Sequence, residues 1–343
     1  MKRTIPGMTV FLFLTTVGHP AQSQSPSAPV LAPDKARLDQ TLTGLDGPGT
    51  SITVDGEFLV TGSEEGTIQV WNKDVWMGVR NGGRAPYVLR GHQGPILALA
   101  QRGATLASAG ADGKVILWDL SAGTERQTLS PTGPPRCLAL SPDGNILAIG
   151  GEKNHIELWD LASAKSVGPL EGHTDWVDCL TFNNDGKVLA SGSQDGTVRV
   201  WDVPGKKQLI SISAMPAPPA NTPPPPTNRI LTVALSPDGK QIALGGTDGL
   251  LHFANLADGK LVRSLSGHTS SVTGIAYHSG GKVVATASKD RTVRLWDASS
   301  GQALKTLEGH AAWVQGIVML DQGTRLASVS ADKTVKVWDL SAK

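Results

Sequence analysis

Short runs of apolar residues alternate with turn-forming residues along most of the chain. In one stretch the runs CLTF, VLASGS and TVRVWD are rich in β-branched and small apolar residues, and the turn signals NDG (184–186) and QDG (194–196) separate them. Short runs of this kind, bounded by Asn, Asp and Gly, are typical of β-strands joined by tight turns. No stretch after the N-terminal segment has the sustained 3.6-residue period of an amphipathic helix. The pattern therefore predicts an all-β protein.

The strand pattern recurs, and each copy ends in Trp-Asp or a variant of that dipeptide. The closing dipeptides are Trp71-Asn72, Trp118-Asp119, Trp159-Asp160, Trp201-Asp202, Ala254-Asn255, Trp296-Asp297 and Trp338-Asp339. Successive copies are 41 to 53 residues apart, which is the period of repeats that each supply about four strands. The two longest spacings contain insertions, near residues 74–87 and 214–229.

Four copies also contain a Gly-His pair, at residues 91–92, 172–173, 267–268 and 309–310. The Gly-His and Trp-Asp copies in one register resemble the WD40 repeat, and the predicted domain spans residues 38–343. The resemblance implies a seven-bladed β-propeller of four-stranded antiparallel blades around a central channel. Residues 38–44 (LDQTLTG) resemble the outermost strand at 303–309 (ALKTLEG) but have no blade of their own. We therefore expect them to pair with the strand that contains Trp338 and to close the ring.

The resemblance implies a structural role for the recurring polar residues. In WD40 repeats a loop His, a second-strand Ser or Thr, a turn Asp and a third-strand Trp form a hydrogen-bonded tetrad. The full sets in this chain are His92, Ser108, Asp112 and Trp118; His173, Ser191, Asp195 and Trp201; His268, Thr286, Asp290 and Trp296; and His310, Ser328, Asp332 and Trp338. A nucleophile repeated in four blades would be unusual, because an active site is normally single. Blades one, three and five depart from the pattern, and Ala254 in place of Trp makes blade five the loosest by expectation.

Enzyme motifs are missing from the sequence. There is no HExxH, P-loop or GxSxG motif, and no GxGxxG motif in a strand–helix context. His155, His252 and His278 lack the spacing of metal ligands. We therefore predict no catalytic residue, no metal and no cofactor. The alternative is a propeller enzyme, or one that binds a small ligand or metal in its channel.

Function is expected where the copies differ, in the loops of one face. In the WD40 family the Gly-His loops and the turns between second and third strands share the face called top. Trp176 and Trp313 occupy one equivalent loop position there, and Asp178, Gln315, Thr273, Arg136 and Leu97 are expected to ring the channel mouth. Large aromatic side chains on loops are favoured binding anchors, although each Trp could instead pack on its own loop. The predicted contacts for a protein or peptide partner are Trp176, Trp313, Asp175, Asp178, Arg136 and Gln315.

Two insertions and two cysteines complete the candidate features. The Pro-rich insertion near 214–229 should rise from the top face, as a polyproline II ligand segment or as a plain surface loop. The insertion near 74–87 should lie on the bottom rim, where Trp76 covers a blade edge. Cys137 and Cys179 are expected on equivalent strands of neighbouring blades, too far apart for a disulfide, and so as free buried thiols.

Charge and the N-terminus bear on partners and location. Lys plus Arg is 31 and Asp plus Glu is 30, a balance that gives no electrostatic footprint for nucleic acid. Residues 1–23, with a basic start and the apolar run IPGMTVFLFLTTVG, predict a cleaved secretory signal peptide, and 24–37 a flexible Pro/Ser-rich lead-in. We expect a monomeric propeller, exported to the periplasm or out of the cell. An uncleaved membrane tether and an intracellular scaffold are the alternatives.

Overall fold

The computed structural model describes residues 31–78, 87–214 and 228–341. Within these ranges the strands form seven four-stranded antiparallel sheets. Each innermost strand contacts the innermost strands of both neighbouring blades, so the seven sheets form a closed ring. The predicted seven-bladed propeller is confirmed. The predicted signal peptide and residues 24–30 of the lead-in lie outside the described residues.

The strands of each blade run from the channel outward. The innermost strands are β2 (Gly49–Asp55), β6 (Ile96–Arg102), β10 (Pro135–Leu140), β14 (Val177–Phe182), β18 (Ile230–Leu235), β22 (Val272–Tyr277) and β26 (Val314–Leu320). The second strands are β3 (Phe58–Ser63), β7 (Thr105–Gly110), β11 (Ile146–Gly151), β15 (Val188–Ser193), β19 (Gln241–Gly246), β23 (Val283–Ser288) and β27 (Arg325–Ser330). The third strands are β4 (Thr67–Asn72), β8 (Val115–Asp119), β12 (His155–Asp160), β16 (Thr197–Asp202), β20 (Leu251–Asn255), β24 (Val293–Asp297) and β28 (Val335–Asp339). The outermost strands are β5 (Tyr87–Arg90), β9 (Thr124–Leu129), β13 (Lys165–Glu171), β17 (Lys207–Ser213), β21 (Leu261–Leu265), β25 (Ala303–Leu307) and, in blade seven, β1 (Arg37–Leu42).

Ring closure occurs in blade seven, whose sheet has the order β1-β28-β27-β26. Strand β1 pairs antiparallel with β28, with Leu38 opposite Trp338 and Leu42 opposite Val335. The first strand of the described chain thus belongs to the last blade, and no blade edge is left open at the junction. The predicted closure is confirmed.

The end of the lead-in differs from the expectation of a flexible segment. Leu31 forms an isolated bridge with Ser341, and the Ala32 amide donates to the Leu340 carbonyl (2.9 Å). A short 3-10 helix follows at Pro33–Lys35, and Ala32 and Ala36 are buried. Residues 31–36 therefore extend the closure, because these two small side chains fill space beside the last blade.

The core lies between blades. One cluster combines Ile156 of blade three with Leu189 and Trp201 of blade four, and the other clusters also join neighbouring sheets. Close approach depends on small residues in the second strands. A Cβ on Gly192 would lie 2.6 Å from Ile230 Cγ2 of blade five, closer than real Cβ atoms approach other atoms. A single blade would leave such apolar faces in water, so the ring is the folding unit.

All seven innermost strands are irregular at their first residues. Each has a shift of register there, as between Val177 and Cys179 in β14. A bulge leaves one residue out of the ladder and turns its side chain away from the regular alternation. The bulged residues are Thr50, Leu97, Arg136, Asp178, Leu231, Thr273 and Gln315. They include all five residues expected at the channel mouth.

The insertions and cysteines take defined positions where they are described. The first insertion starts with helix α1 (Lys73–Trp76), and Trp76 is buried in a cluster with Trp71 and Leu320 between blades one and seven. Residues 79–86 and 215–227, including most of the Pro-rich insertion, lie outside the described residues. Cys137 and Cys179 lie on β10 and β14 and are free, as predicted. Burial raises the pKa of both thiols.

Candidate protein-interaction face

Four blades contain a hydrogen-bonded set of His, Ser or Thr, Asp and Trp that fixes the top-face loops. In blade four, His173 contacts Asp195 (Nδ1–Oδ2 2.8 Å) and Ser191 (Nε2–Oγ 2.7 Å), and the Trp201 indole donates to Ser191 Oγ (2.8 Å). The amide of Thr174 also donates to Asp195 (3.1 Å). The set therefore ties the Gly-His loop to the turn between the second and third strands.

The same geometry repeats in blades two, six and seven. The distances from His Nδ1 to Asp, from His Nε2 to the hydroxyl and from Trp Nε1 to the hydroxyl are 3.1, 2.8 and 2.8 Å for His92, Asp112, Ser108 and Trp118; 2.7, 2.7 and 2.9 Å for His268, Asp290, Thr286 and Trp296; and 2.8, 2.8 and 2.9 Å for His310, Asp332, Ser328 and Trp338. The contacts are within each blade, and the rings are buried. These residues hold the loops in place and present no free nucleophile.

Electrostatics favour the ionised Asp in all four sets and the neutral His in blades six and seven. Burial opposes ionisation of Asp195, but hydrogen bonds from His173 and Thr197 and from the Thr174 amide hold its pKa below the usual value. Burial lowers the pKa of His268 and His310, although Asp290 and Asp332 act in the opposite direction.

Trp176 lies on the top face of blade four under a cation from blade three. The Arg136 guanidinium is 4.9 Å from the centre of the Trp176 ring, and its Nε donates to Asp178 Oδ1 (2.7 Å). The Gln194 side chain donates to the other Asp178 oxygen (2.9 Å), and Glu152 lies 3.9 Å from Arg136. The indole is therefore held from one side by a cation that two carboxylates neutralise.

Asp175 fixes the loop that presents this indole. Its carboxylate accepts a hydrogen bond from the Trp176 amide (2.8 Å), and its carbonyl accepts one from Ser193 (3.1 Å). The carbonyl of Trp176 in turn accepts from the Gln194 amide (2.9 Å). Arg136, Asp175, Trp176 and Asp178 thus form one connected group.

Trp313 occupies the equivalent position in blade seven and is the more exposed of the two, at 52% against 36% for Trp176. The Lys289 ammonium of blade six lies 4.8 Å from the centre of its ring. The Trp313 carbonyl accepts from the Ala331 amide (3.0 Å), which ties the loop to the neighbouring turn. Gln315 is half-buried two residues further, at the channel mouth.

Two family models match the chain. The model described as Nucleolar protein 10-like, N-terminal domain, a β-propeller, matches residues 134–338, more than half of the 343 residues. The model described as WD domain, G-beta repeat, matches residues 40–72 and 83–119. The chain therefore belongs to the family of the first model, a β-propeller domain, and contains WD40 repeats. No curated protein matches it.

In this WD40 propeller, blade five replaces the tetrad with another network. Asn228, two residues before the innermost strand, donates to Asp248 Oδ2 (2.7 Å), and its own Oδ1 accepts from the Asp248 amide (3.1 Å). His252, one of the histidines without metal-ligand spacing, bonds Asp248 (2.7 Å) and Ser264 (2.7 Å). Ala254 leaves no indole to satisfy, so the polar contacts of blade five close without one.

Blade three of the WD40 ring has a second substitute. Glu157 is buried, accepts from the Trp159 indole (3.0 Å) and also accepts from the Thr132 amide (2.7 Å) of the top-face loop. One carboxylate thus does what a His, Ser and Asp do elsewhere. The sequence signal for it was Glu157 itself, two residues before Trp159 in the strand HIELWD.

The opposite face of the WD40 ring has a cavity of about 740 Å³, lined by residues that include Trp76, Lys73, His278 and Asp321. None of the six predicted contact residues lines it. Among the described residues no group of three or more His, Cys, Asp or Glu side chains could hold a metal ion. No helix in the described ranges has the length and apolar character needed to cross a membrane.

Proposed function

We propose that this protein is a non-catalytic scaffold that binds a protein or peptide partner on its top face. The observation that supports the proposal is the pair of exposed indoles, Trp176 and Trp313, each held at the same loop position by a cation from the preceding blade. The proposed contacts are Trp176, Trp313, Asp175, Asp178, Arg136 and Gln315. WD40 propellers are generally interaction scaffolds, which favours the same function.

Physical chemistry favours these two Trp residues as anchors. A large aromatic side chain that is exposed before binding and buried after it is among the most common hot spots, where truncation costs about 2 kcal/mol or more. Both loops are already fixed by hydrogen bonds to the neighbouring turns. Little conformational entropy would be lost on binding, which raises affinity.

Capture from an extract of the protein's own cells tests the proposal. Wild-type protein is compared with a Trp176→Ala/Trp313→Ala variant and with a matched Leu209→Ala/Val262→Ala variant, which also removes two exposed apolar side chains but on outermost strands. All three should melt alike. We expect one partner to be retained by wild type and control and lost by the Trp variant. Equal retention by all three would exclude the top-face site.

We also propose that the protein is exported, with residues 1–23 removed as a signal peptide. Support comes from the basic start and the apolar run of that segment. Sequencing the N-terminus of protein purified from its own cells tests this. A start near Gln24 is expected, whereas an intact Met1 in a membrane or cytoplasmic fraction would contradict export.

A further inference from the structure

The two Trp sites of the top face differ in charge. At Trp176, the stacked Arg136 is neutralised by Asp178 at the channel mouth of blade four and approached by Glu152 from the turn of blade three. The equivalent positions at Trp313 are Gln315 and Lys289. One carboxylate is thus replaced by a neutral amide, and the other by the stacked cation itself. Among the described residues no carboxylate lies within ion-pair distance of Lys289.

The turns beside Trp313 add further positive charge. Arg291 and Lys333 follow the tetrad Asp residues in the second turns of blades six and seven, and both are exposed. The acidic residues in the top loops and turns of these blades are Glu308, exposed at the end of the outermost strand of blade six, and Asp290 and Asp332, whose side chains are 6% and 9% exposed. The carboxylates of Asp290 and Asp332 face inward, where loop amides and Thr hydroxyls occupy them. The surface around Trp313 therefore presents an indole and three cations, with Glu308 as the exposed carboxylate of the same loop.

We propose that this surface binds an acidic segment of a peptide or protein partner. A carboxylate of the segment takes at Lys289 the place that Asp178 takes beside Arg136, and an adjacent part of the segment packs on the open face of Trp313. Arg291 and Lys333 are placed to meet further carboxylates. The inference rests on the proposed top-face function and adds the chemistry of the partner.

Charge on the neighbouring blade limits the length of the acidic segment. The second turn of blade one contains Glu64 and Glu65, both exposed, next to blade seven in the ring. A nucleic acid would need many phosphate contacts along a continuous basic track, and these two carboxylates interrupt it. A short acidic peptide avoids them, so we favour it over a nucleic acid.

Fluorescence anisotropy with two labelled probes tests the inference. The probes are a peptide of alternating Glu and Gly and the same peptide with Gln for Glu, measured at low salt. We expect wild type to bind the Glu peptide clearly tighter than the Gln peptide. Lys289→Ala should weaken binding of the Glu peptide by about three- to fivefold, the effect of a partly exposed charge pair. Lys282→Ala, which removes an exposed lysine from the opposite face of the same blade, should leave it unchanged.

A second variant separates charge from loss of contact. Gln315→Glu supplies an internal carboxylate at the position of Asp178 and should weaken binding of the Glu peptide while the melting temperature stays unchanged. Equal affinity for the Glu and Gln peptides, or no effect of Lys289→Ala, would overturn the inference. Equal or tighter binding of a single-stranded DNA oligonucleotide, also lost in Lys289→Ala, would overturn it in favour of a general polyanion site. A captured partner that needs both Trp residues but not Lys289 would leave the scaffold proposal standing and remove the acidic segment.

Discussion

The Ser191 hydroxyl illustrates how one buried oxygen holds a top-face loop. It accepts a hydrogen bond from Trp201 and bonds His173, which itself bonds the turn residue Asp195. The hydroxyl is fully buried. Because water does not reach this site, loss of the hydroxyl leaves Trp201 Nε1 and His173 Nε2 without a hydrogen-bond partner.

Ser191→Ala should therefore destabilise the protein by about 2–4 kcal/mol, since each unsatisfied buried group costs about 1–3 kcal/mol. Chemical denaturation measures the change. Ser211→Ala, on the exposed outermost strand of the same blade, is the matched control and should be neutral. A Ser191 variant as stable as the control would mean that the tetrad does not stabilise the blade.

The buried histidines make stability depend on pH. Burial lowers the pKa of His268 and His310 below the usual 6.5, so the unfolded chain binds protons more readily than the folded one. The contribution of these two neutral histidines to the free energy of unfolding is complete above about pH 6.5 and is lost as the pH falls. The lowered pKa of Asp290 and Asp332 adds a further loss at more acidic pH.

We therefore expect a melting temperature that is level from about pH 8 to 6.5 and falls steadily below that range. Differential scanning calorimetry across the range measures it. His310→Asn, which replaces the titratable ring with a neutral amide, should reduce the loss near pH 6. A melting temperature that rises on acidification would contradict the neutral, buried histidines.

Repeated residues could be predicted from the sequence, and residues that occur once could not. The tetrads were predictable because four copies align position by position. Arg136 and Asp178 could be placed at the channel mouth. The stacking of Arg136 on Trp176 and its ion pair with Asp178 cross from one blade to the next, and no single repeat encodes such contacts. His252 and Glu157 were missed because each replaces the family pattern in one blade only.

At the scale of elements, the strand β1 joins the two ends of the chain. It pairs with β28 along five residue pairs, and Leu42 is buried against blade seven. The likeness of residues 38–44 to an outermost strand predicted this pairing. The packing of residues 31–36 was not predictable, because a Pro- and Ala-containing segment has no strand or helix period and is held by tertiary contacts alone.

Deleting residues 38–44 should leave β28 with an open edge and destabilise the whole ring, not just one blade. We expect the melting temperature to fall by about 10 °C or more in a single transition. A deletion confined to residues 24–30 is the control and should melt like wild type. Unchanged cooperative melting without residues 38–44 would show that closure does not depend on β1.

At the scale of the whole molecule, the ring separates stability from recognition. The apolar faces of neighbouring blades stabilise the fold, and the tetrads and their substitutes fix the loops. The side chains that differ between blades then stand on a rigid top face, and among them Trp176 and Trp313 are exposed and held by cations. This division is why the seven blades and their closure could be predicted while the partner could not: the repeat encodes packing, and binding depends on departures from it.

Hydrogen–deuterium exchange of the captured complex is the most direct test of a top-face interaction scaffold. We expect binding to slow exchange in residues 172–178, 194–196, 289–292 and 309–315, and to leave the bottom-face turns at 142–145 and 321–324 unchanged. Protection confined to the bottom face, or to the wall of the cavity beside Trp76, would contradict the proposed function.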